Sequence, residues 1–221
     1  MTPKLIIFDC DGILVDTEKA ANEVLSGFVS RAGGNISPDQ CHLRFTGRTL
    51  DTIKTLLETE EGLILEPDWA DQVRAADLVA FEKGVDAIPG IEAVVQAVRA
   101  NGISYCVGSS GKYEKMHATL GSAGLLPLFK DVLFSAQDVP NGKPAPDIFL
   151  YAAKGMGVDP QHCIVIEDSL PGLQAARDAG MRAFGFTADP LADEAKVRAL
   201  GATPFKAMAD LPALLGLETP A

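Results

Sequence analysis

Residues 5–16 read LIIFDCDGILVD: an apolar run, two aspartates one residue apart, and a second apolar run. A stretch this short and this continuously apolar suits a strand covered on both faces, as in a parallel sheet, where strict alternation would mark one wet face. Residues at i and i+2 of an extended chain point the same way, so Asp9 and Asp11 can both face the space beyond the strand's carboxyl end. Taken alone, FDCDG also fits a strand followed by an ordinary turn punctuated by Asp and Gly. The rest of the chain separates the two readings.

Four further runs, ISYCVGSS, DVLFSA, HCIVIED and MRAFGF, are as brief and as rich in Val, Ile and Phe, and read as strands. Between them lie helical patterns: IEAVVQAVRANG, KMHATLGSAG, APDIFLYAAKGMG, and SLPGLQAARDAG with Pro171 near its start. Alternation of strand and helix from residue 88 onward, joined to the first strand, predicts an α/β fold: a doubly wound, Rossmann-like parallel sheet. Residues 17–87 behave differently. EKAANEVLSGFVSRAGG, TLDTIKTLLETEEG and WADQVRAADLVAFEKG are helical in pattern and each ends at or near Gly, with no convincing buried strand among them. The expected organisation is therefore a core of residues 1–16 and 88–221 with an inserted all-helical cap of residues 17–87, able to open and close as a lid. Trp69 is expected in the core of that cap, and the acids of LETEEGLILEPDWAD on its solvated surface.

A chain of 221 residues with 47% hydrophobic and 22% charged residues has the composition of a globular protein. Its formal net charge of -11 disfavours nucleic acid and anionic membrane as partners, so a phosphorylated ligand must meet a local cation. Cys10, Cys41, Cys106 and Cys163 form no CxxC pair and sit mostly in apolar runs, which reads as four free thiols in a reducing compartment. The first residues meet acid after a short apolar run, which does not fit a signal peptide, and no run approaches the roughly 18 residues of a membrane span. A cytoplasmic protein, monomeric or weakly dimeric, is the expectation.

In an open α/β sheet the functional crevice lies beyond the carboxyl ends of the strands. The predicted strands deliver Asp9 and Asp11, then Ser109 and Ser110, then Lys143 in NGKPAPD, then Glu167 and Asp168. Four carboxylates beside one ammonium repel one another without a cation, and hard oxygen ligands point to Mg²⁺, which takes one or two carboxylates, waters and a phosphate oxygen. One carboxylate, Asp9, can then attack phosphorus, while Asp11 protonates the leaving alkoxide and later activates water. Ser109 and the backbone N–H groups of Ser110 and Gly111 can hold phosphoryl oxygens, and Lys143 can offset negative charge. The string GSSGK is not a nucleotide P-loop, which would need Gly in place of Cys106 and Ser or Thr in place of Tyr113.

Four motifs, FDCDGILVD, VGSSG, GKPAPD and IEDSLPGLQAARDAG, stand in this order at predicted strand ends, and with them the chain resembles the haloacid dehalogenase superfamily. Within it, the helical insertion resembles that of the sugar phosphatases and β-phosphoglucomutase relatives. The runs RFTGRTLDTIKTL and FGFTADP look most like bacterial 6-phosphogluconate phosphatases. The resemblance implies that Asp9 is the phosphorylated nucleophile and that Asp11 is the general acid/base and, through its backbone carbonyl, a Mg²⁺ ligand. It further implies that Ser109 and Lys143 hold phosphate, that Asp168 completes the metal site, and that Glu167 assists. Ile13 departs from the family's usual Thr, removing no group from this chemistry. Asp11 disfavours a dehalogenase or a phosphonate hydrolase, and the lack of a histidine in DTEKAANE disfavours a mutase, so a Mg²⁺-dependent phosphatase of a small phosphorylated sugar or sugar acid is expected. A hexose-phosphate mutase, a phosphatase of another metabolite and a non-catalytic binder are the alternatives.

Two cationic residues admit two readings each. Lys112 either grips the phosphate or sits exposed in the first turn of a helix. Arg48 either contacts the non-reacting end of the substrate or is a solvated helix-start residue. His42, His117 and His162 are scattered without metal spacing and are assigned to surface or packing.

Overall fold

The computed structural model describes residues 3–46 and 48–217. Its strands are β1 (Leu5–Phe8), β2 (Val15–Asp16), β3 (Asp86–Ala87), β4 (Ser104–Ser109), β5 (Leu133–Ser135), β6 (Cys163–Glu167), β7 (Arg182–Phe186) and β8 (Thr203–Phe205). Among the described residues six of these form one parallel sheet of order β5-β4-β1-β6-β7-β8, and β2 pairs antiparallel with β3. The five apolar runs read as strands are all in the larger sheet. β1 lies between β4 and β6, with Phe8 in register with Val107 on one side and Ile166 on the other. Chain order thus reverses direction across β1, the place where a doubly wound sheet opens a crevice.

The helices are α1 (Glu18–Arg31), α2 (Pro38–Phe45), α3 (Leu50–Glu60), α4 (Trp69–Lys83), α5 (Ile91–Ala100), α6 (Tyr113–Ser122), α7 (Leu126–Phe129), α8 (Asp147–Gly155), α9 (Leu170–Asp178), α10 (Glu194–Ala199) and α11 (Leu211–Leu214). On one face of the sheet, Leu5 and Ile7 of β1 pack with Phe149 of α8 and Leu173 of α9. On the other, Phe8 meets Phe129 of α7 edge to face, with ring centroids 6.2 Å apart. Alternate β1 residues thus serve opposite layers, which is why LIIF carries no polar position. α5 shows how its sequence commits it to the sheet: Ile91, Val94, Val95 and Val98 recur at helical spacing and are all buried.

The chain divides into two compact units, one running to Asp16 and again from Asp86 onward, the other Thr17–Val85. The first resumes at Asp86, ahead of the expected residue 88, because Asp86 and Ala87 pair with Asp16 and Val15. The second unit holds α1 to α4 around its own core, where Leu25, Val29, Phe45, Ile53, Leu57 and Trp69 are buried together. Trp69 packs edge to face on Phe28 at 6.2 Å. α2, which the helical patterns did not reveal, begins with a capping box: Ser37 accepts from the Gln40 N–H while Gln40 accepts from the Ser37 N–H. All four cysteines are buried and free.

Candidate active site

The sheet brings the polar strand ends of β1 and β6 to the same level. Asp9 follows β1 directly, and its N–H donates to Ile166 O at 2.9 Å, one residue before Glu167 on the neighbouring strand. The chain does not stay extended through Asp11 as the spacing suggested. It bends at Cys10 into a turn in which the Gly12 N–H donates to Val15 O and the Leu14 N–H to Cys10 O, both at 2.9 Å. Gly12 has a φ of 75°, a left-handed conformation, and a Cβ there would land on the Asp168 carboxylate. Only glycine meets both conditions.

Lys143 organises the carboxylates. Its Nζ donates to Asp9 Oδ1 at 2.7 Å and to Glu167 Oε1 at 2.8 Å, with 6% of its side chain exposed. The Phe149 ring backs the ammonium at 4.9 Å. Glu167 is fully buried, and its other oxygen accepts the Ser169 N–H at 2.5 Å. Gly172 leaves room for that carboxylate, since a Cβ there would collide with it. Ser169 also caps α9, accepting from the Gly172 N–H at 3.1 Å.

The electrostatic state follows from burial. Desolvation pushes the Asp9 carboxyl up to about 7; Lys143 opposes this, and the Glu167 and Asp11 carboxylates add to it. Burial, then Glu167 and Asp9, hold Asp168 well above the usual carboxylate range. Burial alone would lower Lys143, but its two carboxylate partners outweigh it and raise the ammonium above its ordinary value.

Asp11 stands apart from that carboxylate group. Its Oδ2 accepts from Lys115 Nζ at 2.8 Å, so the site holds two ammonium groups where the sequence reading counted one. Burial would lower Lys115, and Asp11 more than compensates, raising it. Ser109 is buried at the end of β4, and its Oγ accepts the Gly111 N–H at 3.0 Å. Ser135, ending β5, donates to the Gly111 carbonyl at 2.7 Å and so ties the GSSG loop to the next strand. Ser110 is exposed, and so is Lys112, which occupies the N-cap position of α6. Arg48 is exposed in the second unit, its Nε donating to Arg44 O at 3.2 Å. Sequence reasoning missed Lys115 because it began the helix at that residue, whereas α6 starts at Tyr113 and places Lys115 in its first turn.

Asp9, Glu167 and Asp168 each offer a carboxylate oxygen, and these atoms lie within 4.8 Å of one another. The three carboxylates gather hard oxygen donors beside the Lys143 ammonium, and burial above all holds Asp9 and Asp168 toward their protonated forms. That donor set fits Mg²⁺. Both Glu167 oxygens already accept a hydrogen bond, so Asp9 and Asp168 have the greater capacity to ligate.

A family model described as haloacid dehalogenase-like hydrolase matches residues 3–180. A 6-phosphogluconate phosphatase of Escherichia coli is 36% identical over 186 residues, covering 84% of this chain and 83% of that protein. Hexitol phosphatase A of the same organism is 30% identical over 189 residues, covering 85% of each. Among solved structures, a HAD family hydrolase from Deinococcus radiodurans with bound phosphate and sodium has a TM-score of 0.86 at 30% identity, covering 100% of this chain and 99% of that one.

Proposed function

The chain belongs to the haloacid dehalogenase-like hydrolase family and is a phosphomonoester hydrolase, and we propose that it hydrolyses a small phosphorylated sugar or sugar acid with Mg²⁺, through an aspartyl-phosphate on Asp9. The observation that carries this reading is the Lys143 ammonium held between Asp9 and Glu167 at the sheet's carboxyl edge, beside a loop whose Ser109 and Gly111 are already fixed. The relatives named for 6-phosphogluconate and for hexitol phosphates support a polyhydroxylated phosphate ester as the substrate class.

Asp9 attacks phosphorus with a carboxylate oxygen as the P–O bond to the sugar breaks, and Asp11 gives its proton to the departing alkoxide. In the second step Asp11 takes a proton from water, the hydroxide oxygen bonds to phosphorus, the bond to Asp9 breaks, and phosphate leaves. Lys143 fixes the Asp9 carboxylate through Oδ1 and offsets charge as the phosphoryl group arrives. Ser109 and the Ser110 N–H orient the phosphoryl oxygens, and Gly111 holds the Ser109 hydroxyl in place for it through its own N–H. Asp9 and Asp168 would hold Mg²⁺ with Glu167 in support and the Asp11 carbonyl as a further ligand; when bound, it supplies the charge that keeps Asp9 ionised and neutralises the phosphoryl group.

Phosphate release from a panel of sugar, sugar-acid and aryl phosphates, with and without Mg²⁺, tests the reading against an Asp9→Asn variant. Metal-dependent release from a sugar or sugar-acid phosphate, lost in Asp9→Asn, is expected. Release undiminished in that variant overturns the nucleophile. Isomerisation of a hexose 1-phosphate on addition of its bisphosphate, with little phosphate released, makes the protein a mutase instead.

A further inference from the structure

Lys115 lies outside the four motifs, yet the structure builds it into the turn that carries Asp11. Its Nζ stands 2.8 Å from Asp11 Oδ2. One helical turn on, Thr119 Oγ1 meets Cys10 Sγ at 4.0 Å, so consecutive residues of the turn dock on two α6 residues that share a face at i and i+4. Thr119 is fully buried and donates to Lys115 O at 3.0 Å, which fixes the register of that face. The Lys115 stem passes close to Gly111, where an added Cβ would lie 3.6 Å from Lys115 Cδ. The helix that begins just after the GSSG loop therefore grips the Asp11 turn within its first two turns.

We propose that Lys115 is a positioning residue of the hydrolysis, holding Asp11 through Oδ2 so that Oδ1 is the oxygen that gives a proton to the leaving group and takes one from water. This rests on the role assigned to Asp11 above. An ammonium donates and cannot accept, so a transferable proton on Asp11 resides on the oxygen that Lys115 does not hold. Because the same helix is continuous with the phosphate-binding loop, the donor oxygen and the phosphoryl group are placed by one element, the kind of orientation on which general acid catalysis depends.

Two esters separate this role from a structural one. A sugar phosphate expels an alkoxide that needs a proton, whereas 4-nitrophenyl phosphate expels a phenolate that does not. With Mg²⁺ present, Lys115→Met is expected to lower kcat on the sugar phosphate by about 10- to 100-fold with KM within about threefold, part of the range general acid–base catalysis supplies. The first-turnover release of nitrophenolate should stay within about twofold of the parent, and Lys115→Arg should recover much of the loss. Lys115→Gln repeats the measurement should the Met variant melt early. Equal loss of first-turnover rate on both esters, or no loss on either, overturns the proposal. Asp11→Asn run beside it tells the two failures apart. If Asp11→Asn discriminates between the esters and Lys115→Met does not, only the positioning role falls; if Asp11→Asn does not discriminate, the Asp11 role falls and the proposal with it.

Discussion

Lys143 has Asp9 and Glu167 as partners and almost no access to water, so removing its charge leaves two buried carboxylates facing each other. Lys143→Met is expected to cost about 3–5 kcal/mol of stability, the usual result of stranding a buried charge, measured as a shift in the urea midpoint. Added Mg²⁺ should recover part of that loss. The two readings of Arg48 are separated by kinetics: a substrate contact predicts that Arg48→Ala raises KM while kcat holds, and a solvated helix-start residue predicts no change in either, as steady-state rates on the best substrate read directly. At this scale the sequence was informative wherever a residue ends a strand. Asp9, Ser109 and Glu167 could be located because an apolar run stops at them, Asp168 because it directly follows such an end, and Lys143 because the third strand leads to it through NGKPAPD. Lys115 had no such marker: whether it reaches Asp11 depends on the phase of α6 relative to a turn far away in sequence, and an error of two residues in the helix start rotates it out of view.

The elements differ in how much of their stability is local. α9 starts with Ser169 capping Gly172 just after the buried Glu167, so the cap both begins the helix and aims the carboxylate. Ser169→Ala is expected to cost about 1 kcal/mol by urea unfolding, while Ser169→Asp, which keeps an acceptor, should cost less. β1, β4, β6 and β7 are legible because both faces are covered and their residues need no alternation. β8 is not: three residues containing Pro204 at the sheet edge carry too little pattern, and the proline is tolerated there because an edge strand leaves one side of its ladder unpaired. α2 is polar, with Cys41 and Phe45 as its buried residues, so its apolar stripe is too narrow to declare a helix. Its Ser-Pro-Asp-Gln start was a readable capping signal all the same.

For the molecule as a whole, the site's charge sets a pH dependence whose sign can be worked out. The Asp9 carboxyl, ordinarily near 3.8, reaches about 7 in the folded chain without metal. A pKa raised on folding contributes stability that is complete below the ordinary value and is lost as pH climbs through the folded one. The metal-free protein should therefore have a lower Tm at pH of about 8 than at about 6, and saturating Mg²⁺, which takes the ionised carboxylate, should raise Tm more at the higher pH. Thermal scans at both pH values with and without Mg²⁺ check this; a metal-free Tm that does not fall would mean Asp9 is already ionised throughout.

The pairing of Val15 and Asp16 with Ala87 and Asp86 has an evolutionary reading. The chain leaves the catalytic sheet and returns to it through two strands already bonded to each other, so to that sheet everything from Thr17 to Val85 is a loop with pinned ends. The entropy of closing a loop rises only slowly with its length, and insertions are best tolerated where their ends lie together. Such a doorway tolerates exchange, shortening or enlargement of the inserted module without moving the strand ends that carry Asp9, Ser109 and Asp168.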